Sequence, residues 1–224
     1  FGAQEKIHLR YGISFISEEQ AKKNLERDIW TYDVQTVASQ GKKIWNKKLG
    51  KITVEGGTEN DKSVFYTSLY RTYERMINIS EDGRYYSAFD CKVHDDNGIP
   101  FYTDDWIWDT YRATHPLRVL IEPEIECDMI SSYIRMAEQT PQGWMPTFPE
   151  VTGDSHRMNG NHAIAVIWDA YSKGLTNFSL ERAYEACQKA IMEKTLLPWQ
   201  KLPLTELDRF YHKNGLSWHV PYSG

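Results

Sequence analysis

Apolar and polar residues alternate one by one from Lys6 to Ile16, in the order K-I-H-L-R-Y-G-I-S-F-I. A period of two predicts a half-buried strand, with Ile7, Leu9 and Tyr11 on one face and Ile13 and Phe15 carrying the alternation past Gly12. A lone strand is not stable in water, and no strand-rich stretch follows it directly. The segment therefore reads as the last strand of a sheet domain whose earlier part lies outside this chain. After it the period lengthens. Ser17 and Gln20 predict a capping box opening a helix through E-E-Q-A-K-K-N-L. Asp33–Leu49 predicts a second helix with Val34, Val37, Ala38, Ile44 and Trp45, weakened in its middle by Gly41. Thr58–Ile77 predicts a long amphipathic helix around Val64, Phe65, Leu69, Tyr70 and Tyr73.

Arg84–Val93 and Ile99–Thr103 read as two strands of a hairpin about the polar turn His94–Gly98, and Pro100 confines the second to an edge or a strand start. A calcium loop at this turn is disfavoured, because its acidic positions lack the loop spacing and no glutamate closes them. From residue 104 the pattern is helix after helix: Asp105–Thr114, Ile125–Gln139, His162–Lys173 and Leu180–Thr195. Pro116 kinks or restarts the chain after the first, and Gly174 suits the end of the third. Between them Thr140–Gly160 is a long loop rich in Pro, Gly, Trp and Met, and segment 196–211 connects into a further short helix. The fold class is mainly α. Helical hairpins in succession predict a toroid or solenoid, and the lack of a fixed-period repeat favours the toroid.

Composition narrows the function classes. The chain has 224 residues, 41% of them hydrophobic, enough for a real core in one or two domains. A net charge of −5 with scattered basic residues argues against a nucleic-acid-binding face. No apolar run is long enough to cross a bilayer, and no signal peptide is recognisable. Cys91, Cys127 and Cys187 lack metal-site spacing and read as three ordinary buried thiols.

The segment from Thr103 to Leu117, T-D-D-W-I-W-D-T-Y-R-A-T-H-P-L, is where chemistry concentrates. Asp and Arg are rarely buried unpaired, and Trp is costly to leave exposed. A sugar site uses both kinds: an indole offers an apolar platform to the C–H face of a pyranose, and carboxylates accept from its hydroxyls. The competing reading is a half-buried helix with satisfied ion pairs, in which Asp109 pairs with Arg112 three positions on. Trp108 reads equally as a sugar-site wall or as core packing. His162, beside Asn161, reads as a satisfied helix-cap histidine. Asp104 and Asp105 suit the N-terminal dipole of the following helix, and Glu150 reads as a solvated lone carboxylate.

Six stretches, in order, resemble the family-92 glycoside hydrolases, exo-acting α-mannosidases. Ile13-Ser14-Phe15-Ile16-Ser17, followed by Glu19-Gln20-Ala21 and Asn24-Leu25, resembles the end of that family's N-terminal β-sandwich. Phe65-Tyr66-Thr67-Ser68-Leu69-Tyr70-Arg71 resembles an early helix of its (α/α)6 catalytic domain. Trp108-Asp109-Thr110-Tyr111-Arg112 with His115-Pro116-Leu117 resembles its sugar-site segment. Gly143-Trp144-Met145-Pro146, Met158-Asn159-Gly160-Asn161-His162 and Asp169-Ala170-Tyr171-Ser172-Lys173-Gly174 resemble its next segments. The resemblance spans residues 6 to 212. The end departs from the pattern: Asn214 to Tyr222 does not continue as the family does, and Val220-Pro221-Tyr222 echoes a later motif only briefly.

The resemblance implies a partial (α/α)6 toroid preceded by the last strand of a β-sandwich. It divides the chain into the sandwich's end at 1–17, a helical linker at 18–50 and the first part of the catalytic domain at 51–224. It implies an inverting, calcium-dependent exo-α-mannosidase acting on mannose-containing glycans such as N-glycans, with α-1,2 linkages expected, in a secreted or periplasmic setting. Inversion uses one carboxylic acid to protonate the leaving oxygen and one carboxylate to activate water. The family carries the acid in an Asn-Glu-Pro stretch, absent here, and the base in a downstream run of aspartates. Neither catalytic group, and few of the calcium ligands, is therefore expected in this chain. Trp108, Asp109 and His162 are the expected substrate-binding residues, with Asp109 accepting from mannose hydroxyls. The alternatives are a non-catalytic carbohydrate-binding helical domain and another toroid enzyme acting on glycans.

Overall fold

The computed structural model describes residues 7–158, 160–194 and 204–214. It is mainly helical. The elements are α1 (Glu18–Asp28), α2 (Val34–Leu49), α3 (Glu59–Arg71), β1 (Ile77–Asn78), β2 (Arg84–Ser87), β3 (Lys92–Asp95) and β4 (Tyr102–Thr103). They continue with α4 (Ile107–Thr110), α5 (Thr114–Ile121), α6 (Pro123–Glu138), β5 (Pro149–Glu150), β6 (Gly153–Asp154), α7 (His162–Ser172), α8 (Leu180–Glu193) and α9 (Glu206–Asn214).

Caps explain most helix starts. The Ser17, Asp33, Thr58 and Ser179 side chains each accept from a backbone N–H of the first turn, supplying one of the orphan donors there. The predicted box at Ser17 is only half made. Its serine caps Gln20, but the Gln20 amide turns away to donate to Asn24 and Asp82 and to accept from Arg84. Buried Glu81 adds bonds from the Phe15 N–H and Asn24 Nδ2, so α1 is sewn to the turn before β2.

Helix α6 is the central element, packed against α5, α7 and α8. It contributes Ile130, Tyr133, Ile134, Met136 and Ala137 to the core, while α7 and α8 meet it through small residues: Ala163, Val166 and Ala170, then Ala183, Ala186 and Ala190. Small side chains let helix axes approach closely while their neighbours fill the gaps. The strands cover one end of this core with Tyr85 stacked on Phe101 at 4.1 Å.

Four expectations need correction. Residues 7–14 form no strand: their backbone has no ladder partner among the described residues, and Ile7, Leu9, Tyr11 and Ile13 are exposed. Helix α3 stops at Arg71 rather than Ile77, because Met76 leaves the helical path to enter the core and Ile77 pairs with Thr103. The hairpin is β2 with β3, running Arg84↔Asp95 to Ser87↔Lys92 about the turn 88–91, while β4 pairs with β1. The turn at Asp96–Ile99 is real, with Ile99 N–H donating to the Asp96 carbonyl, but it hands the chain on to another partner. Finally, α2 buries none of its apolar residues; Trp45 leans on Tyr70 at 4.5 Å, and Ile44 stays exposed. Cys127 and Cys187 are buried as expected, and Cys91 is exposed at the hairpin turn. The helix expected after 196–211 begins at Glu206; the divergence at 215–222 lies outside the described residues.

Candidate functional site

The predicted helix Asp105–Thr114 is broken into the four-residue α4, a turn at 111–113, and α5. So short a helix gains almost nothing from its own hydrogen bonds, and its place must come from its surroundings. Two sets of contacts hold it. On the upstream side the chain is laced to the hairpin of β5 and β6. The Asp105 N–H donates to the Pro149 carbonyl at 2.9 Å, and Thr103 Oγ1 donates to the Glu150 carbonyl at 3.2 Å. Trp106 stacks on Phe148 at 5.7 Å and lies 3.7 Å beneath the Arg75 guanidinium, which also pairs with Asp104 at 2.8 Å.

The other set is sealed in the interior. Asp105, His115, Glu126 and Tyr133 are 0–1% exposed. The His115 ring bridges two carboxylates, Nε2 to Asp105 at 2.9 Å and Nδ1 to Glu126 at 2.8 Å. Tyr133 donates its phenol to Asp105 and lies 3.2 Å from the same imidazole nitrogen, and Thr110 Oγ1 donates to Asp105 at 2.9 Å. Burial pushes the His115 pKa down, but the charges of Glu126 and Asp105 outweigh it and raise it to about 9. Burial alone would raise Asp105; the His115 charge and the bonds from His115, Tyr133 and Thr110 prevail and hold it below the ordinary carboxylate value. Arg118, also buried, donates to the Thr72 carbonyl at 2.7 Å and contacts Met129 Sδ at 3.4 Å. The carboxylates of Asp105 and Glu126 and the cations of His115 and Arg118 thus share the interior between α4, α5 and α6. Neither Asp105 nor Asp104 caps the helix: the N-cap is Trp106, without a side-chain cap bond.

On the outer side of α4 lies an open face. Trp108 is 41% exposed, so it is not ordinary core packing. Its ring meets the His162 imidazole edge-on at 5.2 Å, and Tyr111 stacks on the same imidazole at 4.3 Å and 19°. His162 opens α7, yet it caps nothing: Nε2 is buried with no hydrogen-bond partner among the described residues. Burial, and then the Arg112 charge, lower its pKa, which keeps the ring neutral. Gly160 explains the fit: its φ is +97°, and a Cβ there would stand 2.6 Å from His162 Nε2. The helical ion pair of Asp109 with Arg112 is not made. Arg112 Nε donates to the Tyr111 hydroxyl at 2.8 Å, and the Asp109 carboxylate is exposed without a partner among the described residues.

Trp108, His162 and Tyr111 therefore come together, with Asp109 adjacent in the chain on the exposed side of α4. Tyr111 and Gly160 went unremarked as site residues in the sequence. Tyr111 carried a signal, three positions from Trp108 and so on the same side of one turn. Glu150 is not simply solvated: its carboxylate pairs with Arg157 at 3.2 Å. Among the described residues no group of three or more His, Cys, Asp or Glu side chains could hold a metal ion. No helix among them is long and apolar enough to cross a membrane.

This arrangement has relatives. An inverting family-92 mannosidase from Bacteroides thetaiotaomicron superposes with a TM-score of 0.76 at 32% identity, over 94% of this chain and 28% of its own. A family-92 α-mannosidase from the same organism superposes with a TM-score of 0.74 at 28% identity, over 80% of this chain and 24% of its own. An uncharacterised secreted glycosidase of Arthroderma benhamiae is 27% identical over 189 residues, 82% of this chain and 20% of its own. The chain thus spans between a fifth and a third of the length of these proteins. Residues 20–222 match the catalytic domain of glycosyl hydrolase family 92, and with the ordered motifs and the shared fold, the chain belongs to that family.

Proposed function

We propose that this chain supplies part of the mannose-binding surface of an exo-α-mannosidase. The observation that carries the reading is the open face of Trp108, Tyr111 and His162 beside the exposed Asp109 carboxylate. The indole gives the C–H face of a pyranose an apolar seat, and Asp109 accepts from neighbouring hydroxyls. The exposed carboxylate costs nothing to desolvate until a sugar covers it, so its hydrogen bonds serve binding rather than folding. Similarity to an inverting mannosidase favours a single displacement of mannose by water. In this reading the proton-transferring acid and base, and most of the calcium ligands, stand on parts of the enzyme beyond these 224 residues. The helices α5 to α8 then belong to the first part of an (α/α)6 toroid, which begins at residue 51, with α1 and α2 as linker at 18–50 and residues 1–17 as the end of a β-sandwich domain. Terminal α-1,2-linked mannose of N-glycans is the substrate class, and secretion fits the relative that bears that name.

Titration of the purified chain with methyl α-mannoside, followed by tryptophan fluorescence and set against methyl α-glucoside, tests the reading. Binding that prefers the mannoside is expected. Asp109→Asn keeps the shape and removes the charge, so affinity should fall roughly 10- to 1,000-fold, since charge-assisted bonds contribute about 1.5–3 kcal/mol each. Its melting temperature should stay put. A destabilised variant that binds like wild type would end the sugar-site assignment. The same chain should not hydrolyse an aryl α-mannoside, and turnover above host background would refute the placement of the catalytic pair.

A further inference from the structure

We propose that His115 is a positioning residue: its ring, wedged between Asp105 and Glu126, fixes the start of α4 and so sets where Trp108 and Asp109 stand against His162. The proposal rests on the sugar-site reading only for its effect on binding. His115 lies in the same motif as Trp108 and Asp109, yet at 1% exposure it cannot touch a sugar. What it does touch brackets the site residues. Asp105 and Thr110, both buried, flank Trp106 to Asp109 in the chain and are joined to each other by the Thr110 hydroxyl. The imidazole ties that closed loop to α6 through Glu126, and Tyr133 ties it again from about two turns further along. Trp108 and Asp109 therefore project outward from a loop whose two ends are held at one buried point. A four-residue helix without such an anchor would not keep its side chains in one place.

The groups facing the ring are Asp105 from the α4 segment, itself bonded by Thr110, and Glu126 and Tyr133 from α6, with Arg118 buried on α5. With its pKa raised from 6.5 to about 9, the charged ring stabilises the folded state fully below 6.5. That contribution declines as pH rises and is lost beyond about 9. The hold on α4 should follow the same window.

The experiment uses isotope-labelled chain and reads nuclear Overhauser cross-peaks between the Trp108 indole and the His162 imidazole, beside titration with methyl α-mannoside. In wild type the cross-peaks should persist at neutral pH and fade as pH passes 9. In His115→Gln, which cannot bridge two carboxylates as a cation, they should vanish while the methyl signals of Ile130 and Ile134 keep their positions. Mannoside affinity should fall by about tenfold or more with the lost preorganisation. Ile134→Val is the control: it loosens the core without touching the loop and should leave the cross-peaks intact. Should His115→Gln not fold, Thr110→Val cuts the loop from Asp105 alone and should give the same loss. Wild-type cross-peaks in a folded His115→Gln, or in Thr110→Val when the first variant does not fold, would overturn the proposal. A wild type that loses its cross-peaks on substitution but never binds the mannoside would sink the sugar-site reading and leave the positioning role supported.

Discussion

Gly160 shows how one missing atom shapes the site. His162 stacks on Tyr111 only because the chain before α7 passes close to its ring, and that passage needs both a positive φ and no Cβ. Gly160→Ala meets both obstacles at once. The added carbon would sit 2.6 Å from Nε2, so either the imidazole leaves Tyr111 or the loop backs away. We expect a stability loss of about 1–2 kcal/mol, as for alanine forced into a left-handed conformation, and a mannoside affinity at least severalfold weaker. Calorimetry and the sugar titration on the same variant check both, and an unchanged affinity would show that the placement of His162 does not matter to the ligand. Asp109 and Trp108 were legible in the sequence as candidates because their types and spacing suit a sugar. Asp105 was not. Its local setting, just before a helix, suits a cap, and its true partners lie 5, 10 and 28 positions away, where no local pattern reaches.

Elements were legible where their cause is local. Ser17 and Asp33 announce helices because a cap acts within three residues, and the starts of α1 and α2 fall where those residues stand. The hairpin was misread for the same reason: Asp96, Asn97 and Gly98 have turn chemistry, with φ of +54° at Asn97 and +80° at Gly98. The turn that joins β2 to β3 is Ala88-Phe89-Asp90-Cys91, which advertises nothing. Helix α2 was found but its burial was misjudged, since an amphipathic stripe states only that something should cover it. Besides the packing of Trp45 on Tyr70, charge holds α2 and the turn after it. Glu122, between α5 and α6, accepts Lys48 at 2.9 Å and Lys51 at 2.7 Å, and Lys51 also donates to the Ile121 carbonyl at 3.0 Å. Burial works against the Glu122 carboxylate, but the two lysines prevail and hold its pKa below the ordinary value. Glu122→Gln should therefore release α2 while sparing the core. With both lysines about a third exposed, the global cost should be only about 1–2 kcal/mol. Amide exchange should accelerate across Val34–Leu49 and stay slow in α6 to α8; uniform acceleration would mean the clamp serves the whole fold.

At the scale of the molecule, the core between α5 and α8 is closed, whereas the first seventy residues bury little. Ile7, Leu9, Tyr11 and Ile13 are exposed, as are Trp30, Ile44 and Val64 in the segments that follow. Apolar surface of that extent seeks cover. The purified chain should associate as its concentration rises, visible in light scattering; a monodisperse monomer at millimolar protein would contradict this. The row at residues 7 to 13 has a practical consequence. Its backbone N–H and C=O groups are engaged in no ladder among the described residues, which makes it a template for a second chain. Leu9, at 84% exposure, is the most open side chain of that row and touches none of the core. Leu9→Lys would place a gatekeeper charge at the centre of the template, offering a soluble form for spectroscopy with α6 and the Trp108 face as they are.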